Sequence, residues 1–335
     1  MRPFKYIRTE STAEAVSQAS ANENAKFLAG GTNLIDLMKE DVERPDELID
    51  LTRLKLSDIS EITEGENSGG ISLGALAKNT ETANHPMIRK NYPVLSLAIL
   101  AGASGQIRNM ATNGGNPNQR TRCAYFYDTA MPCNKRDPGT GCGAIEGENH
   151  NHAIFGWSKS CIATHPSDMC IALAALDATV KIEGSNGETR SMPFVDYHRL
   201  PGEMPEKDNN LEHGELITAI EIPENNFAKN SYYLKVRDRS SYAFALVSVA
   251  AGLELNGNTI EMARIAMGGV AHKPWRALEA EKYLKGKEAT QANLEAAAAA
   301  EMKNAKPLEH NKFKVELGER AIVRALQMAK TGEKV

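Results

Sequence analysis

Residues 26–38 read KFLAGGTNLIDLM, which predicts a short apolar strand, a tight turn at Gly30 and Gly31, and a helix that begins after Asn33. Such a turn presents backbone N–H groups beside a helix N-terminus, where they attract an anion such as a pyrophosphate. A plain strand-turn-helix connection produces the same letters. The phosphate-binding interpretation therefore depends on what the rest of the chain contains.

A second pair of glycines occurs in residues 106–116, QIRNMATNGGN, after a helix predicted near 94–103. Like the first turn, it carries Thr and Asn side chains that can donate or accept hydrogen bonds. Two such loops, one in each subdomain, could hold opposite sides of one long ligand.

The composition is that of a globular protein with ample core: 335 residues, 41% hydrophobic and 24% charged. This length favours two domains or one large one. The 39 basic and 43 acidic residues give a net charge of -4 without a Lys/Arg cluster, so nucleic acid is not an expected partner. No apolar run is long enough for a membrane helix, and residues 1–6 lack the apolar stretch of a signal peptide. By itself the chain is expected to be soluble and not exported.

All five cysteines lie between Cys123 and Cys170. Buried small hydrophobes or chance disulfides would be scattered along the chain or set within apolar runs. The first four instead follow the spacing C-x9-C-x8-C-x18-C in a stretch rich in Gly and Asn. Cys170 begins the apolar run CIALAAL and is predicted to be a core residue.

Residues 117–165 show no apolar periodicity, and structureless loops of this length are uncommon in compact domains. Four thiolates on a metal centre would order them, because metal binding contributes folding energy. Zinc sites usually contain pairs of cysteines with two to four residues between them, and this loop has no such pair. An iron-sulfur cluster also takes four thiolates, and close glycine N–H groups suit its sulfur atoms. From spacing alone, an iron-sulfur cluster, a zinc ion and a metal-free loop all remain open.

Other polar residues of this loop allow two interpretations each. His150 and His152 could bind a metal, although loop histidines are more often solvated. Four cations lie near the first two cysteines and would either stabilise an anionic cluster or form a basic patch that faces another subunit. They are Arg120, Arg122, Lys135 and Arg136.

The remaining chain divides near residues 223–226, where Pro223 and two asparagines interrupt the apolar pattern. Beyond it, three strands precede three helices, which implies a sheet covered on one face. The strands are predicted at 231–237, 243–255 and 259–267, and the helices at 275–285, 290–304 and 313–330. Before it, we predict a helix from Thr12, a helix at 169–177, and strands at 26–29, 47–51, 71–74, 178–183 and 215–222. There is no Walker A motif and no nucleophile elbow.

Four motifs in this order resemble the FAD-binding middle subunit of xanthine dehydrogenase-type molybdenum hydroxylases. They are AGGTNL at 29–34, IRNMATNGGN at 107–116, Ser167-Asp168, and MGGVA at 267–271. The similarity extends to about residue 325. The chain looks most like the bacterial aromatic aldehyde dehydrogenase FAD subunits, which carry an additional 4Fe-4S cluster on an insertion. The resemblance implies the ligands Cys123, Cys133, Cys142 and Cys161, and it leaves Cys170 outside that set.

The fold implied is α+β: a vanillyl-alcohol oxidase/p-cresol methylhydroxylase-type FAD-binding fold in two subdomains, followed by a C-terminal sheet-and-helix domain of the CO dehydrogenase flavoprotein type. The FAD-binding domain would span 1–223, with subdomains at about 1–55 and 56–223 and the 4Fe-4S insertion at about 117–165. The C-terminal domain would span 226–330.

The resemblance also implies the residues that bind FAD, with no catalytic residue in this chain. Tyr242 lies in the loop beside the flavin where NAD-using relatives carry an acidic residue, so NAD is not the expected acceptor. Pro117 departs from the apolar residue usual after the second glycine loop. The implied cofactor-binding residues are Lys26, Ala29, Gly30, Gly31, Thr32, Asn33, Leu34, Thr112, Gly115, Asn116, Asp168, Ile217 and Lys235.

Finally, the resemblance implies a heterotrimer. A large subunit with a molybdenum cofactor would oxidise an aldehyde to a carboxylate, and a small subunit with two 2Fe-2S clusters would pass electrons to FAD in this chain. Relatives function without the insertion, which suggests a structural role for its cluster. Co-export on a partner's signal would place the complex in the periplasm, with the cytoplasm as the alternative. The rival functions are a stand-alone FAD-dependent oxidoreductase and a zinc-stabilised binding module without redox activity.

Overall fold

The computed structural model describes residues 1–332, and its N-terminal part is a three-stranded parallel sheet with helices in the connections. The strand order is β1-β3-β2. The helix expected from Thr12 is confirmed, and the Ser11 hydroxyl caps it by accepting from the backbone N–H of Glu14. Strand β1 was not predicted, because its side chains are mostly exposed and show no apolar pattern. The elements are β1 (Lys5–Arg8), α1 (Thr12–Ala21), β2 (Ala25–Leu28), α2 (Leu34–Lys39) and β3 (Glu47–Asp50).

An antiparallel sheet of five strands follows, in the order β4-β5-β8-β6-β7. Its strands are β4 (Ile59–Glu61), β5 (Ile71–Gly74), β6 (Thr179–Glu183), β7 (Thr189–Pro193) and β8 (Leu216–Ile222). The helices in the same stretch are α3 (Asn79–Asn84), α4 (Pro86–Asn91), α5 (Pro93–Ala101), α6 (Gly105–Arg108), α7 (Ala124–Tyr127), α8 (Asp168–Ala175) and α9 (Phe194–Tyr197), with a 3-10 turn at Ser185–Gly187. All eight residues of α8 are buried, as its continuous apolar sequence predicts.

The C-terminal part contains a third sheet, in the order β12-β11-β10-β9, with three helices. Its elements are β9 (Ser231–Val236), β10 (Val247–Asn256), β11 (Thr259–Gly268), β12 (Trp275–Arg276), α10 (Leu278–Leu284), α11 (Gln291–Met302) and α12 (Phe313–Thr331). The predicted strands and helices are confirmed within a few residues, but the expectation that only one face is covered is wrong. Val249 and Ala251 pack toward α12, whereas Ala250 lies in the core formed with α5 and α8. The second face is therefore buried by helices that come from earlier in the chain.

Of the described residues in 117–165, only those of α7 form a helix, and the other regular pairings are isolated bridges such as Cys133 with Cys142. The C-terminal part holds one side of this loop in place. Asn311 donates to the carbonyl oxygens of His152 and Ala153, both at 3.2 Å. The fully buried Lys314 ammonium donates to the carbonyl of His152 at 3.1 Å, and burial lowers the pKa of Lys314 to about 7. These hydrogen bonds add to apolar packing on the same side of the loop, where Ile154 and Phe155 are buried in the core of the C-terminal part.

Within residues 1–332, no helix combines the length and the apolar character needed to cross a lipid bilayer.

Candidate functional site

The two glycine turns that the sequence singled out touch each other. Gly30 lies so close to the chain at Met110 that a methyl group on its Cα would overlap the Met110 carbonyl. Gly31 has a φ of +69°, in the left-handed region that favours glycine. The first turn can therefore reach the second only because it has no side chain at this point.

A cavity of about 630 Å³ lies along the two turns, within the usual size range of ligand sites. The predicted cofactor-binding residues that line it are Lys26, Ala29, Gly30, Gly31, Thr32, Asn33, Leu34, Thr112, Gly115, Asn116 and Ile217. Residues 206–217 also line it, and sequence reasoning identified only Ile217 in that segment. The segment carries no motif of its own, so its place in the cavity is a consequence of the tertiary fold.

Among the described residues that line this cavity, Asn33 and Arg199 each have a buried side-chain nitrogen without a hydrogen-bond partner. The Asn33 Oδ1 accepts from the backbone N–H of Arg120 at 2.8 Å. Its Nδ2 is buried and has no hydrogen-bond partner within residues 1–332. A buried amide without a partner costs about 1–3 kcal/mol, so a bound anion at this position would satisfy it. The donor set therefore fits a dinucleotide with a pyrophosphate.

The second turn uses its side chains to hold its own shape. The Thr112 hydroxyl accepts from the backbone N–H of Gly115 at 3.2 Å. The Asn116 amide donates to Asn79 at 2.7 Å, and its oxygen accepts from Ser167. Thr112 and Asn116 thus fix the loop at the place where it lines the cavity. The contact with Ser167 also joins the second turn to the start of α8.

The remaining predicted contacts, Asp168 and Lys235, are absent from the lining of the first cavity as the structure describes it. Asp168 lines a second cavity of about 360 Å³. Its carboxylate accepts from the Tyr233 hydroxyl at 2.6 Å and from the Lys235 ammonium at 2.7 Å. Burial raises the pKa of Tyr233 well above its ordinary value, which keeps the hydroxyl protonated and donating. The Asp168 carboxylate and the Lys235 ammonium, both predicted to contact the cofactor, are therefore paired with each other.

Tyr242 lies in the 238–245 loop, whose Asp238 and Phe244 line the second cavity. Its φ is +51°, which is unusual for an aromatic residue, and its side chain is exposed. The Arg239 guanidinium donates to the Tyr242 carbonyl at 3.0 Å and holds this turn. The second cavity is thus bounded on one side by an aromatic, solvent-facing loop.

The four cysteines of the 117–165 loop surround a single small pocket, although Cys123 and Cys161 are 38 residues apart in the chain. None of the cysteines within residues 1–332 forms a disulfide. Burial raises the pKa of Cys123 to about 12 and that of Cys161 to about 11, so both are thiols until a metal displaces their protons. Among the described residues, no three of these sulfur atoms lie within 4.8 Å of one another.

His152 contacts this pocket directly. Its Nε2 lies 3.1 Å from the Cys123 sulfur, while its Nδ1 is buried with no partner in the described part of the chain. Burial lowers the pKa of His152 to about 4, so the imidazole is neutral at pH 7. Because Nδ1 has no acceptor, the proton is expected on Nε2, where it is donated to sulfur. His150 instead stacks on Phe313, with ring centroids 4.4 Å apart.

The nearby cations mainly satisfy carboxylates and carbonyls. Arg120 pairs with Glu43 at 2.5 Å and with Asp208 at 2.9 Å, and the buried Lys135 pairs with Asp208 at 2.6 Å. Burial alone would raise the pKa of Asp208, but Lys135 and Arg120 hold it well below its usual range. Arg136 donates to backbone carbonyls of residues 125–128. Arg120 and Lys135 therefore connect the cysteine loop to residues that line the first cavity, whereas Arg136 stabilises the loop itself.

Known proteins resemble this chain over nearly its whole length. The family profile described as the FAD binding domain in molybdopterin dehydrogenase matches residues 2–225, and the CO dehydrogenase flavoprotein C-terminal domain matches residues 232–329. The chain is 48% identical over 331 residues to the aldehyde oxidoreductase FAD-binding subunit PaoB of Escherichia coli (strain K12), covering 98% of this chain and 99% of that protein. It is 31% identical to the glyceraldehyde dehydrogenase medium chain of Sulfolobus acidocaldarius, covering 85% and 82%. A crystal structure of carbon monoxide dehydrogenase from Hydrogenophaga pseudoflava contains a chain that is 25% identical, with a TM-score of 0.76 and coverage of 99% of both chains.

Proposed function

Because the chain belongs to the FAD-binding subunits of the molybdenum hydroxylases, we propose that it is the FAD- and 4Fe-4S-containing electron-transfer subunit of a molybdenum-dependent aldehyde dehydrogenase. The family membership confirms the α+β flavoprotein fold and the oxidoreductase class that the sequence led us to expect. The cluster, the aldehyde and the composition of the complex are the proposed part.

The convergence of four thiols on one pocket supports the cluster. In a tetrahedral zinc site, Zn–S distances of about 2.3 Å bring the sulfur atoms within about 4 Å of one another. Within the described chain, no three of the four sulfurs meet even a 4.8 Å limit. A four-iron cluster holds each thiolate on a different iron and spaces the sulfurs more widely. The spread of the thiols and the N–H group of His152 beside Cys123 both favour 4Fe-4S over zinc.

We propose that residues of this chain bind FAD and position its reactive end. The backbone of the two glycine turns and the Asn33 amide would hold the FAD pyrophosphate in the first cavity. Asp168, kept in place by Tyr233 and Lys235, borders the second cavity, where the reactive end of the cofactor would lie next to the 238–245 loop. When bound, FAD would accept electrons from the partner clusters and deliver them in pairs to an external acceptor.

The proposed partners are a large molybdenum-cofactor subunit and a small subunit with two 2Fe-2S clusters, in a heterotrimer. The names of two relatives, an aldehyde oxidoreductase subunit and a glyceraldehyde dehydrogenase medium chain, support an aldehyde as the substrate of the complex. Tyr242, where an acidic residue accompanies NAD use, supports an acceptor other than NAD. We further propose a domain division near 223–226 and a periplasmic location reached by co-export with a partner.

Anaerobic purification of the native complex tests this function. We expect two further polypeptides, flavin absorption with broad iron-sulfur absorbance, and about four irons per FAD beyond those of the small subunit. A stand-alone flavoprotein would instead turn over without partners, and a zinc-stabilised binding module would be colourless. Flavin without the additional iron would refute the cluster and leave the flavoprotein assignment standing.

Asn33→Asp tests the position of the pyrophosphate. The change keeps the acceptor for Arg120 but removes the unused N–H donor and adds a negative charge beside the phosphates. We expect the Kd for FAD to rise at least tenfold, about 1.4 kcal/mol or more, in a fluorescence titration of flavin-free protein. The matched control is Asn304→Asp at an exposed position of the C-terminal part, which should leave the Kd unchanged. Equal Kd values in the two variants would show that Asn33 does not face the pyrophosphate.

A further inference from the structure

A second group of metal-ligating side chains lies outside the four-cysteine pocket. His165, Cys170 and His198 are all buried, and their ligand atoms lie within 4.8 Å of one another. The two imidazole rings are tilted by 58° with their centroids 4.3 Å apart. Neither the first cavity nor the cysteine pocket includes any of the three residues.

The hydrogen bonds of His198 orient it as a metal ligand. Its Nε2 lies 2.9 Å from the carbonyl oxygen of Pro117, so Nε2 carries the proton and donates it to that carbonyl. Nδ1 then presents a lone pair, and this atom is buried with no partner within residues 1–332. Metal-binding histidines commonly donate their second ring N–H to a backbone carbonyl in this way.

His165 contributes a second unsatisfied atom to the same place. Its Nε2 is buried and has no partner in the described chain. Buried polar atoms in folded proteins almost always have a partner, so two unpartnered imidazole nitrogens in one cluster with a thiol need an explanation. A ligand located between them would satisfy both.

We propose that His165, Cys170 and His198 together bind one soft or borderline metal ion, of the class of Zn²⁺ and Cu⁺. Imidazole and thiolate ligands select these ions over Mg²⁺ and Ca²⁺, which prefer oxygen. Two neutral imidazoles and one thiolate give a trigonal Cu⁺ site, or a Zn²⁺ site with its fourth position left for water. The Cys170 thiol would lose its proton on binding. His165 also lines the second cavity, which provides a route for the ion.

The place of the three residues in the chain indicates a structural role for the ion. His165 ends the cysteine loop, Cys170 lies in the first turn of α8 close to Asp168, and His198 follows α9. An ion between them would join the cysteine loop to α8 and to the segment that leads into residues 206–217 of the first cavity. It would thus add one more link between segments that line the two cavities.

Metal analysis of the intact complex tests this proposal. After dialysis against a chelator, we expect one zinc or copper per chain in addition to iron and molybdenum. Cys170→Ala should lose this ion and keep its FAD and its four-cysteine iron. Cys142→Ser is the matched control, which should lose cluster iron and retain the zinc or copper.

X-ray absorption of the wild-type complex at the zinc or copper edge keeps the proposal testable if Cys170→Ala does not fold. Zinc at this site would show one sulfur at about 2.3 Å and nitrogens at ~2.0–2.1 Å. Wild-type complex with full iron and FAD but without zinc or copper would overturn the inference, and a buried water would then bridge the histidines. An equal content of the ion in Cys170→Ala would also overturn it. Because iron and flavin are measured separately, failure here is distinct from failure of the proposed function.

Discussion

Cys142→Ser is expected to remove the four irons of the 117–165 loop while the FAD-binding fold survives. Serine is a poor iron-sulfur ligand, and the remaining three thiols cannot hold a cluster of this type as firmly. In zinc-finger peptides, a structural metal contributes an apparent binding energy of about 10–16 kcal/mol to folding, and a cluster that orders this loop would likewise couple metal binding to its folding. The described residues of this loop form only the short helix α7 and isolated bridges, and most of its apolar packing is at Ile154 and Phe155, so the segment with the first three cysteines has little core of its own apart from Phe126. The loss should therefore appear as local unfolding of the loop.

The expected readouts separate the loop from the rest of the chain. Iron content should fall by about four per FAD, and the loop should become sensitive to proteolysis. FAD content should fall only in part, because most of the residues that line the first cavity lie outside the loop. Cys170→Ser is the control for a cysteine outside the cluster and should keep all of the cluster iron.

Turnover of the same Cys142→Ser complex distinguishes two roles for the cluster. If the cluster is structural, complex that retains FAD should still transfer electrons from aldehyde to the acceptor. Complete loss of turnover with FAD bound and the fold intact would place the cluster on the electron route. Unchanged iron would show that Cys142 is not a ligand.

The local features of the site were predictable from the sequence because their signals are local. The turn at Gly30 and Gly31 is bounded by a strand and a helix whose patterns are plain, and the structure places both elements there. The four cysteines lie in a stretch without periodicity, and the structure gathers their side chains into one pocket. In each case the residue types and their spacing carried the information.

The features that the sequence did not predict depend on tertiary packing. The second face of the C-terminal sheet is covered by α5 and α8, which are far away in the chain. Residues 206–217 line the first cavity without any motif. Cys170 is buried in the core, as its apolar neighbours in sequence predict, but the sequence does not show that its neighbours in space include His165 and His198. Sequence patterns report neighbours along the chain, so contacts of this kind require the structure.

Gly30→Ala should disrupt the FAD site more than any other single methyl group added to the two glycine turns. The added Cβ would overlap the carbonyl of Met110 and approach the Cα of Ala111 to 3.2 Å. These atoms belong to the backbone of the second turn, so they cannot move aside as the end of a flexible side chain would. Overpacking of this kind costs about 1–3 kcal/mol, occasionally more.

Gly30→Ala should weaken FAD binding, because the contact that it disturbs joins the two turns that line the cavity. If the turns move apart, the backbone N–H groups of residues 30–33 lose their position relative to Thr112 and Gly115, which lie across the cavity. We expect most of the FAD to be lost on purification and the Tm to fall by several degrees. Flavin content per chain and thermal unfolding of the purified protein measure the two effects.

Gly105→Ala provides the matched comparison for Gly30→Ala. Gly105 begins α6, and a Cβ built there meets no atom within 4 Å in the described structure. Alanine is favoured over glycine in helices by about 1 kcal/mol, so this variant should keep its FAD and its Tm or gain slightly in stability. If Gly30→Ala also retained full FAD and the wild-type Tm, the two turns would not need to touch in order to form the site. The cavity would then have to bind the pyrophosphate through the first turn alone, and the second pair of glycines would need another explanation.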